Sequence, residues 1–144
     1  RDSGTNRGPT LSAALGLLGD GDRGVDIPEV SLDKARAVAD VPRDSIRQAI
    51  DAGVKIAMGT DSGVSPHGQN LRELALMAEL GMSPTAVLES TTRIAAELMG
   101  VDADLGTLEV GKIADAVVFS GTDLDVSDMR PRLAHVFQGG NRVA

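Results

Sequence analysis

Apolar positions recur along this chain at two different periods, and the change from one to the other comes just after Asp104. Before it, Leu71, Leu74, Ala75 and Ala78 follow helical spacing and predict a helix over about 69–80 that Gly81 stops. An earlier helix opens at Pro42 or Asp44, runs through Ala52 and ends at Gly53. It leads into Val54 to Met58, a short, mostly apolar run that reads as a buried strand. Ser83-Pro84 places a capping hydroxyl and a first-turn proline ahead of a helix from Thr85 to Glu89, and a further helix over about Thr92 to Met99 ends at Gly100. Beyond Asp104 the pattern becomes strand-like. Thr107 to Val110, Ala116 to Ser120 and Leu133 to Gln138 are the expected strands, and Gly139-Gly140-Asn141 is the expected hairpin turn into Arg142-Val143-Ala144.

The first forty residues are less regular. Arg1 to Pro9 is polar and glycine-rich and reads as a loop. Thr10 is placed to cap a short helix from Leu11 to Leu18, and Ser31 to cap another within Val30 to Ala39. Between them Gly19-Asp20-Gly21-Asp22-Arg23-Gly24 is the most loop-like stretch of the chain and the natural junction. Helix, glycine, strand is the grammar of an α/β fold, and no internal repeat competes with that reading. The expected segments are 1–24, 25–104 and a β-rich 105–144.

Charge and composition narrow the function classes. With 14 Lys and Arg against 21 Asp and Glu, the formal net charge of -7 disfavours nucleic acid and anionic lipid as partners. The absence of cysteine rules out disulfides and thiolate metal sites, and the cytoplasm is the default expectation for location. No apolar run approaches the roughly 20 residues that span a bilayer. Two Phe and no Tyr or Trp leave few platforms for stacking bases or sugars.

The strongest chemical signal is an acidic residue at the exit of the apolar run. Asp61 follows Val54-Lys55-Ile56-Ala57-Met58 and stands among the small, turn-forming residues Gly59 to Gly63. In α/β architectures, side chains at the carboxyl ends of strands face the site. A carboxylate there can bind a cation, take a proton from a bound water, or bond the backbone amides of its own turn. His67, in Ser65-Pro66-His67-Gly68, is either a solvated loop residue or a hydrogen-bond donor to a substrate oxygen or carboxylate. His135, inside the expected strand Leu133 to Gln138, reads as a structural residue.

Several ordered motifs resemble the amidohydrolase superfamily, particularly its prolidase-like and imidazolonepropionase-like branch. They are Met58-Gly59-Thr60-Asp61-Ser62-Gly63, then Pro66-His67-Gly68, Glu73-Leu74, Gly81-Met82-Ser83-Pro84, Thr91-Thr92 and Ala95 to Gly100. The run from Leu105 through Gly111-Lys112-Ile113-Ala114-Asp115-Ala116 completes the series. The resemblance covers about Pro28 to Ala144. It implies a partial (β/α)8 barrel, comprising a late strand and its helices, followed by strands of a small β-sandwich. It implies that Asp61 ligates a divalent metal, zinc in the first instance, and acts as general base, with His67 facing the substrate. It also implies hydrolysis of C–N bonds in small amides or Xaa-Pro-like dipeptides.

The departures from that pattern are equally specific. The family's metals are held chiefly by a His-x-His pair and two further histidines, often with a carboxylated lysine, and this chain has only His67 and His135. A three- or four-ligand centre cannot be assembled from them, so the chain itself could hold no metal. Arg1-Asp2-Ser3-Gly4 resembles the end of an early barrel strand, so early- and late-barrel sequence would meet near Gly19 to Gly24 with the middle missing. A full barrel needs about 250 residues. Exposed strand edges and uncovered apolar faces then imply a homo-oligomer or poor solubility. The alternative to an amidohydrolase is a catalytically silent module that folds by association. A small-anion-binding domain, resting on the Gly-rich loop before Gln69, lacks any phosphate-binding fingerprint.

Overall fold

The computed structural model describes residues 6–7, 43–62 and 67–144. The expected helices at Leu11 to Leu18 and Val30 to Ala39, and the junction between them, lie outside the described residues. Strand β1 (Asn6–Arg7) pairs in parallel with β2 (Lys55–Ile56), Asn6 opposite Lys55 and Arg7 opposite Ile56. Helix α1 occupies 43–51. It buries Ile46 and Ala49, three residues apart on one face, and leaves Asp44, Arg47 and Gln48 exposed. Its end is a Schellman closure, with the Val54 amide donating to the Ala49 carbonyl and the Gly53 amide to that of Ile50, both at 2.9 Å. Gly53 sits at φ 70, a conformation that glycine adopts without a Cβ penalty.

The ladder of β2 is shorter than the expected Val54 to Met58. Its end has a visible cause: the Met58 amide donates 3.0 Å to the Ser90 carbonyl on a helix rather than to a strand. Helix α2 (Arg72–Glu79) also starts later than the periodicity indicates. Gln69 and Asn70 accept i to i+3 bonds from Arg72 and Glu73 at 3.0 and 3.1 Å, which makes a tight lead-in turn instead of α-helix. Its buried face is rotated from the expected one. Leu74 is buried as expected, but Leu71, Ala75 and Ala78 are half-buried, while Glu73, Leu76 and Met77 are buried fully.

Helix α3 (Pro84–Thr91) begins as the sequence indicates. The Ser83 hydroxyl accepts from the Ala86 amide at 3.2 Å, and Pro84 occupies the first turn, where a missing N–H costs nothing. Helix α4 (Arg93–Met99) follows a break at Thr92, whose φ of -125 and ψ of -93 are not helical. Three consecutive hydroxyls turn back onto the preceding turn at that break. Ser90 Oγ donates to the Val87 carbonyl at 2.6 Å, and Thr91 and Thr92 both donate to that of Leu88 at 2.8 and 2.7 Å. Such local bonds compete with the helical ladder and bend it.

The expected strand Thr107 to Val110 does not form. Leu108 and Val110 are 84% and 107% exposed, with no ladder among the described residues. The loop is organised instead around Lys112, whose ammonium donates to the Asp102 carbonyl at 2.7 Å and to the Thr107 hydroxyl at 2.6 Å. Strands β3 (Ala116–Phe119), β4 (Leu133–Gln138) and β5 (Asn141–Arg142) form an antiparallel sheet in that order, with a bulge between Val118 and Phe119. The hairpin turn is Gly139-Gly140 alone, because Asn141 already pairs with Gln138. Ahead of β4, Val126 and Met129 are 2% and 5% exposed and join Ile46, Ile56, Met77 and Val87 in one core. No helix among the described residues is long and apolar enough to cross a membrane.

Candidate functional site

The site is built outward from β2. Ile56 and Ala57 are 3% and 2% exposed, so the strand is anchored in the core as it delivers the chain to the loop. On its other side Lys55 reaches Glu97 of α4 at 3.1 Å. Glu97 in turn takes a 2.6 Å bond from Arg93, which also pairs with Glu89 at 3.4 Å. The Lys55 ammonium first, and then the Arg93 guanidinium, hold the Glu97 carboxyl below its ordinary range. The Met58–Ser90 bond fixes the exit of the strand. Beyond it, burial falls from half-buried Gly59 and Thr60 to exposed Asp61.

Asp61 has φ 49, in the left-handed region where aspartate is one of the few residues tolerated. The hydroxyls on either side of it, Thr60 Oγ1 and Ser62 Oγ, are hydrogen-bonded to each other at 2.9 Å and brace this conformation. No hydrogen bond or ion pair to the Asp61 carboxylate is found among the described residues. Asp61 thus stands, exposed, just beyond the carboxyl end of a core strand.

His67 is exposed in the turn that precedes α2, and no bond joins it to Asp61 among the described residues. His135 lies on β4 opposite Val118. Its ring meets that of Phe137 edge-on, with centroids 6.3 Å apart, and its Nδ1 is buried without a hydrogen-bond partner among the described residues. It belongs to the C-terminal sheet. Ser90, which sequence reasoning passes over, is fully buried and supplies the carbonyl that holds the strand exit. The signal available for it is the hydroxyl run Ser90-Thr91-Thr92 at a helix junction.

A divalent cation needs several converging donors. Among the described residues, no three His, Asp or Glu side chains gather closely enough to hold one. Asp61 is a single donor, so the described residues do not by themselves fit a metal ion.

A small α/β protein with a carboxylate displayed at the exit of a core parallel strand is the class of molecule that fold and site define. The family described as Amidohydrolase family matches residues 13–143, and the chain belongs to it. It is similar to an imidazolonepropionase of Symbiobacterium thermophilum, 37% identical over 83 residues, covering 55% of this chain and 19% of the relative. It is similar also to a 5-methylthioadenosine/S-adenosylhomocysteine deaminase of Desulforudis audaxviator, 31% identical over 137 residues, covering 82% of this chain and 31% of that protein. Among solved structures, a Xaa-Pro dipeptidase with bound methionine in its active site superposes with a TM-score of 0.83 at 34% identity, covering 96% of this chain and 34% of the other. The chain thus spans between a fifth and about a third of the length of these relatives.

Proposed function

We propose that this chain forms the Asp61-bearing part of a hydrolase that cleaves C–N bonds in small amides or Xaa-Pro-like dipeptides. The observation that carries the reading is the Asp61 carboxylate at the exit of β2, braced by Thr60 and Ser62 and open to solvent. A carboxylate so placed takes a proton from an attacking water and returns it to the leaving nitrogen. His67, in the loop that follows, is the substrate-facing group of the proposal. The β1–β2 pair with α1 to α4 is read as a late segment of a (β/α)8 barrel, and the β3–β4–β5 sheet as part of a small β-sandwich. Zinc is the ion this reading favours, and the histidine donors it needs beyond Asp61 would come from outside this chain, which has only His67 and His135.

The second reading is a catalytically silent association module. It is favoured by one observation: the sequence has only His67 and His135, and neither stands in a His-x-His pair. Assay of the purified chain with added zinc, against Xaa-Pro dipeptides and a simple N-acyl amide, separates the two. Amine release above the protein-free rate supports the hydrolase, and none from either substrate selects the silent module.

A further inference from the structure

A groove of about 240 Å³ lies between the start of α2 and the segment just before β4. Arg72 of α2 and Arg130, from the segment before β4, are both among its lining residues. Arg130 spends one bond, 3.1 Å from Nη1 to the Gly68 carbonyl, which fastens the two walls together. Neither guanidinium has a carboxylate within ion-pair distance among the described residues, and Asp128 is also a lining residue. The floor is apolar: Leu71 and Ala75 are half-buried and Met129 is buried.

We propose that this groove binds a free α-amino acid with a small aliphatic side chain. A planar guanidinium fork matches a carboxylate in two parallel bonds, so Arg72 and Arg130 define the acid end. Asp128 decides against a phosphate, because a dianion would face its negative charge, whereas the ammonium of an amino acid is attracted to it. Leu71, Ala75 and Met129 take the side chain by apolar contact. The volume, about 240 Å³, lies below the roughly 300–1,000 Å³ of sites for drug-sized ligands and suits a molecule of amino-acid size. Asp61 is not among the lining residues, so the proposal stands or falls apart from the hydrolase reading.

Titration of the ¹⁵N-labelled chain with L-valine, followed by backbone amide shifts, tests it. Saturable shifts at Arg72, Ser127 and Arg130 with a Kd on the order of 1 mM are expected. Arg72→Gln, at an exposed position, weakens binding by about tenfold, as expected for loss of a charge-assisted pair. Arg130→Lys keeps the charge but loses the fork, and weakens it as well. Valinamide, without the carboxylate, and 3-methylbutanoate, without the ammonium, each bind less well than valine. Asp61→Asn leaves valine binding unchanged. Absence of saturable shifts at these amides, equal binding of valinamide, or tighter binding of inorganic phosphate than of valine would overturn the proposal.

Discussion

The Met58 amide and the Ser90 carbonyl, 3.0 Å apart, join the exit of β2 to the last turn of α3. The final carbonyls of a helix have no partner within it, and the break at Thr92 leaves that of Ser90 free to accept from outside. The candidate carboxylate thus follows three residues after a backbone bond that spans thirty-two positions of sequence.

Substitution at Ser90 tests this junction. Its side chain is fully buried, with Oγ 2.6 Å from the Val87 carbonyl and 3.8 Å from Met77 Sδ. Ser90→Leu overfills that space and costs about 1–3 kcal/mol. The expected readout is a lower urea midpoint at unchanged m-value, and an unchanged midpoint contradicts the packing described.

Acid dependence follows from two carboxylates held below their ordinary values. Glu97, ordinarily near 4.5, is lowered by Lys55 and Arg93, and Asp125, ordinarily near 3.8, by the Ser127 amide and hydroxyl. Both are more acidic folded than unfolded. The stability they contribute is present above those ordinary values and is lost as pH falls through the lowered ones. Thermal midpoints measured from pH 6 down to about pH 2 should decline below about pH 4.5, and Glu97→Gln should flatten that decline. An identical acid slope in the variant contradicts the assignment.

Two glycines of the loop before β3 separate backbone conformation from close packing. Both have positive φ, 92 at Gly106 and 98 at Gly111. A Cβ on Gly106 would meet Ala96 Cβ at 2.6 Å and the Arg93 Cα at 3.2 Å, whereas one on Gly111 meets nothing within 4 Å. Gly111→Ala should cost about 1–2 kcal/mol for the left-handed backbone alone. Gly106→Ala should cost about 1–3 kcal/mol more, because helix α4 would have to move. Equal losses in chemical denaturation would show that the loop does not pack on α4.

Association is the expected behaviour in solution. Met99, Leu108 and Val110 are 75%, 84% and 107% exposed, and β3 is paired on only one side among the described residues. Such edges and apolar surfaces invite further pairing. Light scattering after size exclusion should give a mass above that of one chain, or the protein should bind ANS. A clean, ANS-silent monomer contradicts this.

The legible parts of this sequence were its punctuation. Gly53, Gly81, Gly100 and Ser83-Pro84 mark helix boundaries through bonds among near neighbours, and the structure places the ends there. Asp61 was legible as a strand-exit residue for the same reason, since an apolar run followed by glycine, threonine and serine is a local signal. Thr107 to Val110 misleads because its composition suits a strand but Lys112 gathers the loop's oxygens. The two-residue length of β2 and the rotated face of α2 depend on Ser90, Val126 and Met129, all distant in sequence, so no local pattern reveals them. The groove is hidden likewise, its two arginines lying on separate elements.

The central claim is that the Asp61 carboxylate carries the chemistry, and the most direct measurement is the rate of proline release from a Xaa-Pro dipeptide by the zinc-supplemented chain and its Asp61→Asn variant. The account predicts that whatever turnover the unchanged chain supports falls by about 10²–10⁴ in the variant, the usual contribution of a positioned acid–base group. Equal rates in the two proteins, or no turnover in either, would contradict it.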